Sequence, residues 1–159
     1  MTLLHEAQAQ IVGLQVSPGG VPKLPVDTGV VTSLGIVGDK QRDRRFHGGP
    51  DRALCLYSMD RIEELNREGH TIIPGSAGEN VTVRGLDWDT VIPGKRYRLG
   101  EEVEIEITSY TTPCANIAGS FKGGEFVRIL QKQHPGYSRV YARILKEGVL
   151  RVGDSVVEI

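Results

Sequence analysis

Polar and apolar residues alternate strictly over residues 102–107, which read Glu-Val-Glu-Ile-Glu-Ile. This period of two is typical of a β-strand with one buried face and one solvent-facing side. Similar alternation, or a short apolar run bounded by glycine and proline, predicts further strands along most of the chain. The predicted strands cover residues 9–16, 23–26, 29–38, 53–57, 79–86, 96–99, 138–145 and 155–159.

Two segments instead have the spacing of short amphipathic helices. The first covers residues 59–68, with Ser58 as its N-cap and Gly69 just beyond its last turn. The second covers residues 125–133 and places its apolar residues at positions i, i+3 and i+4. We therefore expect two short helices between the strands.

The high glycine and proline content indicates the fold class. The 159 residues include 20 glycines and 8 prolines, and these separate many short segments. Many short strands with turn residues between them favour a mainly β fold. The sequence predicts a single β-rich α+β domain over residues 1–159, namely a glycine-rich β-barrel with about two short helices.

Charge and composition exclude several classes of partner. The net charge of −1 gives no general attraction to nucleic acid or to an anionic membrane. No apolar run has the length of a membrane span, and the first residues lack the pattern of a signal peptide. A cytoplasmic location is expected. Cys55 and Cys114 do not form a disulfide framework; a bond between them stays open, although a reducing cytosol disfavours it.

Cys114 is the strongest candidate for chemistry. It follows the alternating strand, and Pro113 ends the strand there because proline has no N–H to donate. A thiolate is both a nucleophile and a ligand for soft metals, so Cys114 is predicted to face a cleft. The alternative is that it is a small buried apolar residue. Cys55 lies inside an apolar run and is interpreted as a packing residue.

A charged segment, residues 39–52, has neither helical nor strand periodicity and is predicted to be a loop. Its arginines offer forked donors, and its glycine pair allows a nest of backbone N–H groups, which together suit a phosphate or another oxyanion. The alternative is a solvated loop with exposed ion pairs. The candidate donors are Arg44, Arg45, His47, Gly48, Gly49 and Arg52. The four histidines lack ligand-like spacing, so zinc is not expected.

Two further places offer polar groups to a ligand. Asn80 begins a predicted strand, where its amide would either face a ligand or satisfy nearby backbone groups. Arg139, Tyr141 and Arg143 share one face of another predicted strand. These arginines would either line a polar cavity or face water, and the second interpretation is favoured.

Taken together, these motifs resemble the MOSC domain, the module at the C-terminus of molybdenum cofactor sulfurases. The resemblance covers roughly residues 13–159. Its motifs are Gly38-Asp39, His47-Gly48-Gly49-Pro50-Asp51-Arg52-Ala53, Gly78-Glu79-Asn80-Val81-Thr82, Pro113-Cys114, Tyr141-Ala142-Arg143-Ile144-Leu145, Gly148 and Gly153-Asp154. It implies a β-barrel with a site for the molybdenum–pterin cofactor. The family's cysteine falls on Cys114, which is a molybdenum ligand in members that reduce N-hydroxylated compounds.

The resemblance implies a molybdenum-cofactor-binding protein, and a reductase of N-hydroxylated compounds with Cys114 as metal ligand is the leading hypothesis. We infer from charge that Arg44, Arg45, His47 or Arg143 holds the cofactor phosphate. The chain has no aminotransferase part, so pyridoxal phosphate is not expected. A small-molecule substrate and an external electron-donor protein are expected. The alternatives are a sulfur carrier with a Cys114 persulfide, a non-catalytic cofactor-binding module, and a plain barrel with a buried Cys114.

Overall fold

The computed structural model describes residues 8–40 and 49–159. Within these residues the chain is mainly β, with strands numbered in chain order. They are β1 (Gln10–Val16), β2 (Leu24–Val26), β3 (Thr28–Thr32), β4 (Gly35–Ile36), β5 (Leu54–Ser58), β6 (Val81–Arg84), β7 (Arg96–Leu99), β8 (Val103–Tyr110), β9 (Val140–Lys146), β10 (Gly148–Arg151) and β11 (Val156–Glu158).

Eight of these strands form one sheet in the order β11-β7-β8-β9-β5-β6-β1-β2, and β10, β3 and β4 form a second sheet. In the larger sheet only β5 and β6 run parallel. A single bridge, Gln10 with Ser155, brings β1 close to the segment before β11. No continuous ladder closes the large sheet in the described part of the chain. The β-rich prediction is confirmed, whereas the predicted barrel is not.

Helix α1 (Met59–Arg67) connects the two parallel strands. The Ser58 side chain accepts a hydrogen bond from the Arg61 backbone N–H, as expected for an N-cap. Ile62 and Leu65 are buried on one face of the helix. Gly69 follows with φ near +107°, which is a conformation that glycine adopts without strain. The first predicted helix is therefore confirmed.

The second predicted helix was wrong in type. Residues 125–133 contain a short 3-10 turn, Phe126–Ile129, and the chain becomes extended at Leu130. A single turn forms after Gly123 and Gly124, which both have positive φ, and the extended conformation at Leu130 ends it. The apolar spacing is still used, because Ile129 is fully buried.

The hydrophobic core lies against the large sheet and beneath α1. Strand β5 is buried along its whole length, as the apolar run of residues 53–57 predicts. In β8, Val103, Ile105 and Ile107 are buried while the intervening glutamates are partly exposed, which confirms the alternating pattern. Within the described residues, no helix combines the length and apolar character that crossing a membrane requires.

Candidate functional site

A cavity of about 80 Å³ lies where the ends of β8 and β9 meet the loop after β1. This volume accommodates several water molecules, and therefore a small anionic group. Its walls combine cations, thiols and apolar surface. The residues that matter for its chemistry are Lys40, Cys55, Asn80, Cys114, Arg139 and Tyr141.

Strand β8 delivers Cys114 to this cavity. The strand ends at Tyr110, and the Thr111 backbone N–H still donates to the Arg139 carbonyl oxygen at 3.0 Å. Pro113 follows, and Cys114 then occupies the N-cap position of the 3-10 turn Ala115–Ser120. Its side chain is partly exposed and lines the cavity. The thiol is thus placed for binding a ligand and is not sealed in the core.

Arg139 supplies a buried positive charge at the same cavity. Only 6% of the residue is exposed, and its Nη1 donates to the Ala77 carbonyl oxygen at 2.6 Å. Its Nε is buried and has no hydrogen-bond partner among the described residues. Within residues 8–40 and 49–159, no carboxylate forms an ion pair with it. The buried Glu79 carboxyl interacts with Arg139 electrostatically but forms no ion pair with it. A buried guanidinium without an ion-pair partner is costly, so this site is suited to an anionic ligand.

This finding corrects the interpretation of strand β9. The solvent-facing interpretation was favoured for both arginines on that face, but Arg139 is buried at the cavity wall. Tyr141 is also buried there, and burial raises its pKa to about 12, so its hydroxyl stays protonated at neutral pH.

Asn80 lines the cavity, but its amide is used within the wall. Its Oδ1 accepts from the Cys55 backbone N–H at 3.0 Å. Its Nδ2 donates to the Gln15 carbonyl oxygen at 3.2 Å and to Asp39 Oδ2 at 2.9 Å. Both amide hydrogens are therefore engaged, and the second of the two alternatives for Asn80, local bonding, describes the observed contacts.

The second cysteine, Cys55, is buried in β5 and also reaches the cavity. Its Sγ lies 3.7 Å from Thr111 Oγ1, and burial raises the pKa of its thiol. Cys55 and Cys114 are both free thiols. Cys55 is a buried packing residue, as expected, but the sequence did not show that it also lines the cavity.

Glu79 lies between the lining residues Gly78 and Asn80 and is itself fully buried. Its Oε1 accepts from the Gly75 backbone N–H at 3.0 Å, and its Oε2 accepts from Thr82 Oγ1 at 3.2 Å. Burial raises its pKa to about 7 in spite of these hydrogen bonds. Among the described residues, no three His, Cys, Asp or Glu side chains converge as a metal-ligand group.

Three other predicted site residues lie away from the cavity wall. Arg143 forms an ion pair with Glu106 at 2.8 Å, and both residues line a second, more open depression together with Arg52. The Arg52 guanidinium also stacks over the Tyr141 ring, with its Cζ 5.4 Å from the ring centroid. Gly49 is exposed and precedes the 3-10 turn Pro50–Arg52.

The remaining predicted donors lie outside the described residues, so their roles stay predictions. These are Arg44, Arg45, His47 and Gly48. Sequence reasoning missed Lys23 and Lys40, which also line the cavity. Neither residue belongs to a local motif. The only signal for Arg139 was its shared face with Tyr141.

Comparison with known proteins identifies the family of the chain. The sequence profile of the MOSC domain matches residues 43–157, which is well over half of the chain. The chain belongs to the MOSC domain family. Among MOSC proteins of known structure, YiiM from Geobacillus stearothermophilus is 27% identical, with a TM-score of 0.71 over 95% of this chain and 75% of that one.

Two curated bacterial proteins are also similar in sequence. The uncharacterized protein YflK of Bacillus subtilis is 34% identical over 142 residues, and protein YiiM of Escherichia coli is 30% identical over 119 residues. This chain spans 62% of YflK and 53% of YiiM. A protein of Gibberella moniliformis named only "Reductase" is 26% identical over 130 residues, which are 22% of its length.

Proposed function

We propose that this MOSC domain binds the molybdenum–pterin cofactor and takes part in the reduction of N-hydroxylated compounds. The observation that carries the proposal is the convergence on one cavity of the partly exposed Cys114 and the buried Arg139, which forms no ion pair with the described residues. The relative named "Reductase" supports the reaction class, although this chain matches only a small part of it.

The residues present fit the cofactor in their chemistry. Molybdenum prefers soft sulfur ligands, and the Cys114 thiolate is such a ligand. The cofactor also carries a phosphate, and the unpartnered Nε of Arg139 is an available charged donor for an anionic group. When bound, the molybdenum cofactor supplies the two-electron chemistry that removes the oxygen atom of an N–OH group.

The residues of the chain would bind the cofactor, orient it and shield it from water. Cys114 would ligate the metal from the end of β8, where Pro113 limits the freedom of the backbone. Ile117 and Tyr141, both buried, form apolar wall next to the thiol and exclude water from that side. The expected external electron donor and the small-molecule substrate remain part of the proposal.

The test is metal and pterin analysis of protein purified from a host that makes the cofactor. We expect molybdenum and pterin to co-purify with the wild type, and Cys114→Ser to lose most of the molybdenum. Cys55→Ser is the matched control, since it removes the other thiol of the same cavity, and it should retain the metal. Wild-type protein without molybdenum, or equal retention by Cys114→Ser, would contradict the proposal.

A second candidate function is sulfur transfer, which the partial exposure of Cys114 favours. In this reaction the Cys114 thiolate would take the terminal sulfur of a cysteine desulfurase persulfide, and the desulfurase would be left with its thiolate. Incubation with a desulfurase and sulfur-labelled cysteine should then label the wild type but not Cys114→Ser. Absence of label on the wild type would exclude this function.

A non-catalytic cofactor carrier would share the same cavity. It is distinguished by turnover, because a carrier binds the cofactor but reduces no N-hydroxylated compound. We expect the loaded wild type to reduce hydroxylamine-type substrates when a reduced dye supplies the electrons.

A further inference from the structure

Asp39 lies after β4, and its side chain is only 3% exposed. Its Oδ1 accepts from the Ser17 backbone N–H at 2.9 Å and from Lys23 Nζ at 2.7 Å. Its Oδ2 accepts from Lys23 Nζ at 2.8 Å and from Asn80 Nδ2 at 2.9 Å. One buried carboxylate therefore joins three segments that are distant in the sequence.

These three segments build one side of the cavity. Lys23 and Asn80 line it directly, and Lys40, the residue after Asp39, lines it as well. The Lys40 backbone N–H donates to the Ser17 carbonyl oxygen at 2.8 Å, which fixes the chain on both sides of the Asp39 carboxylate. Movement of Asp39 would therefore displace several wall residues at once.

The same contacts decide which cations are available to a ligand. The Lys23 ammonium is buried and lies within 2.8 Å of both Asp39 oxygens, so its charge is neutralised. Lys40 is exposed, and its side chain has no ion-pair partner in the described part of the chain. Arg139 likewise has no carboxylate partner there. Among the described residues, Lys40 and Arg139 are thus the two cations at the cavity that form no ion pair.

We propose that Asp39 is a positioning residue that neutralises Lys23 and fixes the wall, so that Lys40 and Arg139 hold an anionic group in the cavity. This proposal rests on the proposed function, because the anionic group is taken to be the cofactor phosphate. It assigns the phosphate to residues other than the arginines of the charged loop.

The first part of the test needs no cofactor. Urea unfolding is measured for the wild type, Asp39→Asn, Lys23→Met and the double variant. Each single change leaves a buried polar partner unsatisfied, so each should lower the midpoint. The double variant should lose clearly less stability than the two single losses combined. Additive losses would overturn the proposal.

The second part measures binding of the isolated pterin cofactor to the apoprotein at low and high salt. Lys40→Met should weaken binding about tenfold, as for loss of one charge-assisted hydrogen bond, and should flatten the salt dependence. Lys23→Met leaves the Asp39 carboxylate unneutralised beside the cavity, so it should also weaken binding and flatten the salt dependence.

Asp39→Asn best distinguishes the proposed electrostatic role of Asp39 from a purely structural role. It frees the Lys23 charge at the cavity wall, so the salt dependence should become steeper than in the wild type, and adding Lys23→Met should restore it. A purely structural role for Asp39 predicts weaker binding with an unchanged salt dependence, and that result would overturn the proposal.

The two proposals fail in different ways. A wild type that binds no pterin would overturn the proposed function, and with it the assignment of the phosphate. Normal pterin binding with additive unfolding losses would overturn the role of Asp39 alone.

Discussion

Replacing the buried Glu79 by glutamine should change how stability depends on pH. Glu79 is fully buried next to the lining residue Asn80, and burial raises the pKa of its carboxyl from 4.5 to about 7. The folded protein therefore keeps this proton to a higher pH than the unfolded chain does. As pH rises from about 4.5 to about 7, the unfolded state ionises first, and the free energy of unfolding falls.

The size of the effect follows from the pKa difference. Each pKa unit corresponds to about 1.4 kcal/mol, so the rise from 4.5 to about 7 corresponds to about 3 kcal/mol of lost stability above pH 7. Glutamine cannot ionise, and its carbonyl oxygen can still accept from the Gly75 backbone N–H. Glu79→Gln should therefore gain on the wild type by up to this amount as pH rises.

Urea unfolding at pH 5, 6, 7 and 8 tests this prediction for the wild type and Glu79→Gln. The difference between the two should grow in favour of Glu79→Gln up to about pH 7 and then level off. Glu101→Gln, which changes an exposed carboxyl, serves as the matched control and should follow the wild type. A constant difference between Glu79→Gln and the wild type over this range would refute the reasoning.

Three other substitutions test the cavity and its supports. Gly75→Ala should destabilise the protein by at least about 1 kcal/mol in urea unfolding. The reason is that φ of Gly75 is +89° and that a Cβ there would overlap the Lys23 carbonyl oxygen, so an unchanged stability would contradict this prediction. Arg139→Met should weaken binding of the pterin cofactor about tenfold or more, and unchanged affinity would contradict the assignment. Its melting temperature should fall only modestly, because removal of a buried charge offsets part of the lost hydrogen bond to the Ala77 carbonyl oxygen. Ser58→Ala should cost about 1 kcal/mol in urea unfolding through loss of the N-cap bond to the Arg61 backbone N–H. Ser33→Ala, at an exposed serine outside the helix, is its control, and equal losses would argue against the cap.

Local patterns predicted the elements well. The alternation in β8 and the N-cap of α1 depend only on neighbouring residues, and both are found as expected. The helix expected over residues 125–133 failed because apolar spacing alone does not show that the chain becomes extended at Leu130. Closure of the sheet depends on pairing between distant strands, which local patterns do not specify.

The cavity was harder to predict, because it too depends on contacts between residues that are distant in the sequence. The position of Cys114 after a strand and a proline was visible in the sequence, and the residue lines the cavity. The face of β9 that carries Arg139 was also visible, but the pattern does not show which elements cover that face. The Lys23–Asp39 pair joins residues in different loops, and only the fold brings them together.

X-ray absorption at the molybdenum edge tests the central claim most directly, because it counts the sulfur ligands of the metal. The loaded wild type should show one sulfur ligand more than the fraction of Cys114→Ser that retains molybdenum, and Cys55→Ser should match the wild type. An equal sulfur count in the wild type and Cys114→Ser would contradict the account.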